Sequence, residues 1–370
     1  MRDLLADYDR LAAAGPPVGR AVVTGVWGSA PRPEGSCLLA SSVGLAGSVS
    51  GGCVEGAVAA EILAALERGS PRRVSYGVSH EEAWTVGLAC GGTIELLVEP
   101  GVRPELLEAA RGSGGVVIAT ALGEPALGTS WVVREDGTVV GPLAPLGRGP
   151  DAPATSDLPA ETIRDAALAA LRRELSRTVE LAGRGGPVPM FLEVIPRRPT
   201  LIVFGGVHIA QELVPLAKRL GYRTVVADGR QAFLDRARFP DADELVLAWP
   251  EEAFARIGID AATYVCVLSH DPKFDEPACE LALRSPAAYV GAIGSRKTQA
   301  ARRERLRRAG LGDEALARLR GPIGLDLGGR GPAETALAIL AEMTAVRYGG
   351  TGAALSGPAE GAARASETST

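Results

Sequence analysis

Aromatic residues are scarce in this chain, and their scarcity limits what the protein can be. Phe, Trp and Tyr together make up 4% of the 370 residues, whereas hydrophobic residues as a whole make up 46%. The cores must therefore be built from Ala, Val and Leu, which favours an α/β architecture. A surface of aromatic side chains that stacks on single-stranded nucleic acid is correspondingly disfavoured.

Long runs of one character are also missing. No apolar run reaches the roughly 18 residues that a membrane span needs, and the N-terminus lacks the apolar stretch of a signal peptide. The formal net charge is −5. The basic cluster at residues 302–308 includes Glu304 in a helical pattern, which is typical of a solvated helix face. We therefore expect neither a nucleic-acid partner nor a membrane partner.

Cysteine is sparse, and no Cys-x-x-Cys pair occurs among the five residues at 37, 53, 90, 266 and 279. That spacing excludes the common structural zinc motifs. In a chain without a signal peptide the thiols are expected to be reduced, and the protein is expected to be cytoplasmic. Thiolate chemistry is therefore open to them.

What the chain has instead is two differently patterned halves. The pattern predicts an N-terminal mixed α/β domain over residues 1–195, followed by a Rossmann-like domain over 196–348. The second domain is indicated by short apolar strands that alternate with helices from Thr200 onward, which is typical of a doubly wound parallel sheet. Composition predicts that residues 349–370 form a disordered tail.

The pattern also predicts the extent of individual elements. Residues 54–66 are expected to form a helix that ends before Gly69, and residues 161–178 a longer helix. A last short strand is expected at residues 323–325, ahead of the final helix.

The stretch Ser50-Gly51-Gly52-Cys53-Val54-Glu55-Gly56 is the first candidate site. Its two glycines allow the backbone to approach a ligand, and Cys53 follows where the helical pattern begins. A thiol at a helix N-terminus lies where the helix dipole favours the thiolate, the form that binds metals and carries sulfur. Glu55 has two open interpretations: it complements the dipole, or it accepts a proton near Cys53.

A second glycine-flanked thiol occurs at Cys90-Gly91-Gly92. Its glycines would offer N–H groups to a pterin or phosphate anion, and the alternative for Cys90 is core packing. Arg32, between two prolines, is either a solvated loop residue or a fixed guanidinium for a phosphate. The remaining cysteines lie in strand or helix patterns and are expected to pack in the core.

The second half opens on a glycine turn, Gly205-Gly206-Val207-His208, between a strand and a helix. Val207 stands where dinucleotide-binding turns place their second glycine, and its Cβ would crowd a dinucleotide. Asp228 ends the second strand, where an acid can bind a ribose 2′-OH. Gly205, Gly206 and Asp228 are therefore candidate cofactor contacts, although NAD(P) itself is doubtful.

Two further segments follow strands at the carboxyl edge of the predicted sheet, where such sheets bind ligands. Ser269-His270-Asp271 is not a catalytic triad, because neighbouring side chains of an extended segment point to opposite faces. His270 and Asp271 either contact a ligand or stabilise the loop. Ser295 and Arg296 open a helix after the next strand and are candidate anion contacts.

Taken in order, these motifs resemble the XdhC/CoxI family. The resemblance covers nearly the whole chain, residues 5–347. The segments that carry it are 28–32, 51–55 and 90–92 in the first half, and 204–205, 238–240, 269–271, 294–296, 322–326 and 332–334 in the second.

The resemblance implies an accessory protein of molybdenum hydroxylases such as xanthine and carbon monoxide dehydrogenases. It implies binding of the molybdenum cofactor (molybdopterin), sulfuration with a cysteine desulfurase, and delivery to the apo-hydroxylase. Cys53, with Cys90, would ligate molybdenum, which accepts soft sulfur ligands, and Arg32 would hold the pterin phosphate. A homodimer is implied as well, and a maturation factor rather than a multiple-turnover enzyme.

Two alternatives stay open. One is an NAD(P)-dependent oxidoreductase that uses the Rossmann half as its cofactor domain, which leaves the cysteine sites unexplained. The other is a non-catalytic nucleotide-binding partner or scaffold.

Overall fold

The chain divides into two units, Met1–Arg197 and Arg198–Thr370. The structure is a computed structural model, and the residues that it describes are 1–28, 32–77, 92–147, 158–183 and 185–356. Cys90 and Gly91 lie outside the described residues, as do residues 357–370 of the predicted tail.

The first unit contains two five-stranded antiparallel sheets. The first sheet consists of β1 (Gly19–Trp27), β2 (Cys37–Ser41), β3 (Gly44–Gly47), β4 (Arg72–Tyr76) and β5 (Thr93–Glu99), in the order β3-β2-β1-β5-β4. Helix α1 (Leu5–Ala13) follows a 3-10 turn at Arg2–Leu4. Helix α2 (Glu55–Arg68) packs on β1, β2 and β5.

The second sheet follows helix α3 (Pro104–Arg111). It consists of β6 (Val116–Ala121), β7 (Ser130–Arg134), β8 (Val139–Leu143), β9 (Arg177–Gly183) and β10 (Gly186–Ile195), in the order β8-β7-β6-β10-β9. Helix α4 (Ala160–Arg172) packs on β6, β7, β9 and β10.

Alternating side chains sort the core of the first unit into layers. On β1, Val23 packs in the cluster beneath α2, whereas Val22 packs against residues of the second sheet. On β10, Leu192 packs beneath α4, whereas Phe191 joins Val22. Because successive strand residues point to opposite faces, each sheet is buried on both. The layers are therefore α2, the first sheet, the second sheet and α4.

The second unit is built on one six-stranded parallel sheet. Its strands are β11 (Thr200–Phe204), β12 (Arg223–Asp228), β13 (Glu244–Leu247), β14 (Thr263–Val267), β15 (Tyr289–Ala292) and β16 (Leu319–Arg320), in the order β13-β12-β11-β14-β15-β16. Its helices are α5 (His208–Arg219), α6 (Pro250–Ile257), α7 (Pro272–Arg284), α8 (Arg296–Arg308), α9 (Asp313–Ala317) and α10 (Pro332–Tyr348). This is the strand order of the Rossmann fold, with a hydrophobic core on each face, and the predicted fold class is confirmed.

Two predicted elements are wrong in their extent. The helix expected over residues 161–178 ends at Arg172, and residues 177–183 instead pair with β10 as β9. The strand expected over residues 323–325 does not form, because Pro322 has no N–H to donate and Gly324 has a φ of +94°. Among the described residues, no helix has the length and apolar character needed to cross a membrane.

Candidate functional site

The loop before α2 is organised by the carboxylate of Glu55. It accepts hydrogen bonds from the N–H groups of Val49, Ser50 and Gly52, at 3.1, 2.9 and 2.8 Å. The hydroxyls of Ser48 and Ser50 donate to it as well. Although burial opposes the shift, these bonds lower the pKa of Glu55 to about 2. Such a carboxylate is a weak base, so the geometry favours the structural interpretation of Glu55.

Gly51 and Gly52 shape the turn that carries Cys53. Their φ angles are +76° and +118°, in the region that favours glycine. A Cβ at Gly52 would meet nothing within 4 Å, so conformation rather than crowding requires the glycine. The N–H groups of this turn donate to Glu55 and to a serine hydroxyl. An anion that approached the turn would have to displace those acceptors.

Cys53 is exposed, whereas the other three cysteines that the structure describes are buried, as predicted for them. Val49 and Val54, on either side of the turn, are buried in the cluster beneath α2. The thiol is therefore presented to solvent from a loop whose ends are anchored in the core and whose backbone is held by Glu55.

Strand pairing brings other predicted segments of the first unit to one end of the first sheet. Trp27, in the last position of β1, pairs with Thr93, the first residue of β5. Gly92 therefore adjoins the end of β1, from which the chain leads on to Arg32. Arg32 is exposed, and Gly92 is buried.

Cys90 and Gly91 directly precede this end of β5 but lie outside the described residues. The pairing of Cys53 with Cys90 as metal ligands thus stays a prediction. Within the described ranges, no group of three or more His, Cys, Asp or Glu side chains could hold a metal ion. A metal bound at Cys53 would have to bring further ligands with it, as a metal carried in an organic cofactor does.

The glycine turn of the second unit is closed by the protein's own packing. A Cβ at Gly205, whose φ is +103°, would lie 2.7 Å from the backbone nitrogen of Ser269. A Cβ at Gly206 would lie 2.2 Å from the carbonyl oxygen of Phe233. Both glycines are buried. Close approach of β14 and of the turn at Phe233 therefore accounts for both glycines without a ligand.

The carboxylate of Asp228 is engaged inside the protein. It accepts from the N–H of Gly206 at 3.0 Å and from Nε and Nη2 of Arg230, each at 2.9 Å. Burial alone would raise its pKa, yet Arg230 and Gly206 hold the pKa of Asp228 below its ordinary value. A ribose hydroxyl would have to compete with these bonds, which weakens the predicted NAD(P) contact.

The residues predicted at the carboxyl edge lie at the starts of two helices. His270 and Asp271 are exposed, and the Asp271 side chain caps α7 by accepting from a first-turn N–H at 3.0 Å. Ser295 caps α8 in the same way at 3.1 Å, and Arg296 is exposed. The caps explain Asp271 and Ser295 structurally, while His270 and Arg296 face solvent beside them.

Sequence analysis missed a buried polar cluster behind this edge. Asp275 forms an ion pair with Arg302 at 3.1 Å, and the hydroxyl of Ser269 donates to it. Gln299 accepts from Arg302 at 2.9 Å. A signal was available, because Asp275 lies on the same helical stripe as buried Cys279, where a charge needs a partner.

We expect Asp275 to make the second unit less stable as pH rises from about 4 to about 7. Burial raises the pKa of Asp275 to about 6, against the opposing effects of Ser269 and Arg302. The folded-state pKa thus exceeds the ordinary value of 3.8, so the folded chain binds the proton more tightly and loses stability as the proton leaves. Urea unfolding at stepped pH should show the stability of wild type falling relative to that of Asp275→Asn. A flat or rising difference would contradict the assignment.

Together, fold and site define a class: a thiol-presenting α/β unit joined in one chain to a Rossmann-type unit. Family comparisons agree with this division. The model of the XdhC Rossmann domain matches residues 201–343, and that of the XdhC and CoxI family matches residues 11–77. The two segments cover more than half of the chain, which belongs to the XdhC and CoxI family, and the resemblance read from its motifs is confirmed.

Individual relatives extend the similarity over most of the chain. A Bacillus subtilis (strain 168) protein, named as a probable component of xanthine dehydrogenase, is 27% identical over 335 residues, which is 88% of this chain and 92% of the relative. The molybdenum cofactor insertion chaperone PaoD of Escherichia coli (strain K12) is 27% identical over 86% of this chain and 80% of its own length. A solved structure described as a xanthine dehydrogenase from Bacillus halodurans has a TM-score of 0.72 and 25% identity, over 94% of this chain and 96% of that one.

Proposed function

We propose that this chain is an accessory protein that binds the molybdenum cofactor, assists its sulfuration and inserts it into a molybdenum hydroxylase. The apo-enzyme would be of the xanthine dehydrogenase or carbon monoxide dehydrogenase type. Family membership supports the proposal, as does the relative named as a molybdenum cofactor insertion chaperone. The observation that carries it is the exposed Cys53 thiol on a loop held by Glu55.

Cys53 would hold the cofactor as cargo through a molybdenum–sulfur contact. Molybdenum accepts soft thiolate ligands, and a single protein ligand suits a cofactor that has to leave again. Cys90, with Gly91 and Gly92, would contribute from the neighbouring segment. The exposed guanidinium of Arg32 would pair with the pterin phosphate, because its donors match that group.

A cysteine desulfurase would supply the sulfur to this site. The Cys53 thiolate would attack the terminal sulfur of the desulfurase persulfide, so that one S–S bond forms at Cys53 while the S–S bond of the desulfurase breaks and its thiolate leaves. Such an exchange requires an accessible attacking thiol. The protein, a cytoplasmic homodimer in this proposal, would act by binding and transfer rather than by turning over a substrate.

Cys53→Ala is expected to reduce the cofactor that copurifies with the protein by roughly tenfold, the effect of losing about 1.4 kcal/mol of binding free energy. The protein would be coexpressed with cofactor biosynthesis and purified. Its pterin would then be oxidised to a fluorescent product and quantified, and molybdenum would be measured in parallel.

Cys279→Ala is the matched control, because Cys279 is buried in the second unit, and it should retain the wild-type amount. Two outcomes would contradict the proposal. One is a wild-type protein without pterin, and the other is equal pterin in the two variants.

A further inference from the structure

An exposed aromatic surface at the carboxyl edge of the parallel sheet is not used by the proposed function. Trp249 follows β13, and 53% of it is exposed. Its ring lies 5.5 Å from that of buried Phe274. A Cβ at Gly229 would come within 3.6 Å of the indole and 3.1 Å of the Phe274 ring. The indole therefore lies against the backbone that follows β12, with half of its surface open to solvent.

Two arginines border this surface. The guanidinium of Arg230, the residue after Gly229, lies 3.9 Å from the ring centroid of Phe233, and that of Arg238 lies 5.5 Å from it. Asp228 pairs with Arg230, whose side chain is still 48% exposed. In the described part of the chain, Arg238 has no carboxylate partner, and it donates to a backbone carbonyl. Arg238 thus contributes positive charge that no carboxylate offsets.

We propose that the surface formed by Trp249, Arg230 and Arg238 binds a nucleotide, with the base on the indole and the phosphate at the arginines. Every nucleobase has a face that stacks on an aromatic ring, and the guanidinium fork matches a phosphate. The carboxyl edge is where doubly wound sheets bind ligands. This mode does not need the backbone of Gly206, which Phe233 covers.

The recognised chemistry is a base joined to a phosphate, which both a free mononucleotide and one half of a dinucleotide supply. Isothermal titration of the full chain with ADP and with NADP+ distinguishes the two sources. Tighter binding of ADP indicates a mononucleotide, and tighter binding of NADP+ indicates a dinucleotide. Adenosine and inorganic phosphate, each titrated alone, are expected to bind more weakly than ADP.

Trp249→Leu is expected to weaken ADP binding about tenfold or more, and Trp249→Phe to recover part of the loss, because phenylalanine restores an aromatic face. Arg238→Gln should weaken ADP binding while leaving adenosine binding unchanged. Arg238 is chosen over Arg230 because removing Arg230 would leave Asp228 without its cation.

Tyr348→Leu is the matched control. Tyr348 is a 65% exposed aromatic residue at the end of α10 with the Arg347 guanidinium 5.2 Å from its ring, and its replacement should leave ADP binding unchanged. The proposal is overturned if wild type does not bind ADP at millimolar concentration, or if Trp249→Leu binds like wild type or no worse than Tyr348→Leu. Should Trp249→Leu fail to fold, unchanged ADP binding in Arg238→Gln overturns it. Pterin retention at Cys53 is measured separately, so either proposal can fail alone.

Discussion

Arg20→Met is expected to lower the free energy of unfolding of the first unit by about 3–5 kcal/mol. Arg20 is buried between the two sheets of that unit. Its guanidinium donates to both carboxylate oxygens of Glu193, at 3.0 and 2.9 Å, and its Nε donates to Glu99 at 3.1 Å. Removal of the cation would leave two carboxylates buried without it, a far larger cost than the loss of the contacts themselves.

The cluster around Arg20 is balanced in charge. Arg20 and Glu99 are direct cross-strand partners on β1 and β5, and Nε of Arg103 lies 3.4 Å from the second oxygen of Glu99. Two cations therefore face two carboxylates. Burial alone would lower the pKa of Arg20, but Glu193 and Glu99 raise it above its ordinary value, so the guanidinium remains charged.

Urea unfolding of single and double variants tests this account. The double variant Arg20→Met with Glu193→Leu removes one cation and one anion and leaves Arg103 paired with Glu99, so it should be more stable than Arg20→Met alone. Arg10→Met is the control, because the ion pair of Arg10 with Asp7 is exposed and should contribute no more than about 1 kcal/mol. Equal losses in Arg20→Met and Arg10→Met would show that the cluster does not stabilise the unit.

Charged residues inside strand patterns were the available sign of this cluster. Glu99 lies two residues from buried Leu97, and Glu193 two residues from buried Phe191, so both point to the same sheet faces as those core residues. A charge at such a position needs a partner. Which partner it meets depends on how the two sheets pack, and alternation along one strand does not specify that.

The parallel sheet was predictable because its strands are short apolar runs, each followed by a turn and a helix. The antiparallel unit was harder to predict. Residues 173–178 continue a helical pattern, and only their pairing beside β10 ends the helix and starts β9. Tertiary pairing overrides local propensity in that segment. The glycine turn at Gly205 was located correctly, but its closure by Phe233 follows from contacts distant in sequence.

The glycine–cysteine motif likewise located the Cys53 loop without revealing how it is held. Glu55 was recognised as a residue at the start of a helix, where a carboxylate complements the dipole. Its five hydrogen bonds depend on the backbone path of Ser48 to Gly52, which two positive φ angles determine. The residue types indicated the site, and its rigidity emerged only from the folded loop.

Glu55→Gln is therefore expected to loosen that loop, at a cost of about 1–2 kcal/mol of stability, and to reduce cofactor retention as strongly as Cys53→Ala does. The amide nitrogen of glutamine cannot accept, so either the Gly52 side or the Val49 side of the loop would lose its acceptor. Hydrogen exchange of the Ser50 and Gly52 amides should accelerate. Glu67→Gln, on the exposed face of the same helix, is the control and should change neither quantity.

The pH dependence of this variant gives an independent test of the same carboxylate. The folded-state pKa of Glu55, about 2, lies below its ordinary value of 4.5, so its contribution to stability is complete above that value and is lost as pH falls towards about 2. The stability difference between wild type and Glu55→Gln should therefore shrink on acidification, whereas that between wild type and Glu67→Gln should stay small throughout. If amide protection at Gly52 is unchanged in Glu55→Gln, Glu55 does not hold the loop. If protection falls but pterin is retained, a fixed loop is not what binds the cofactor at Cys53.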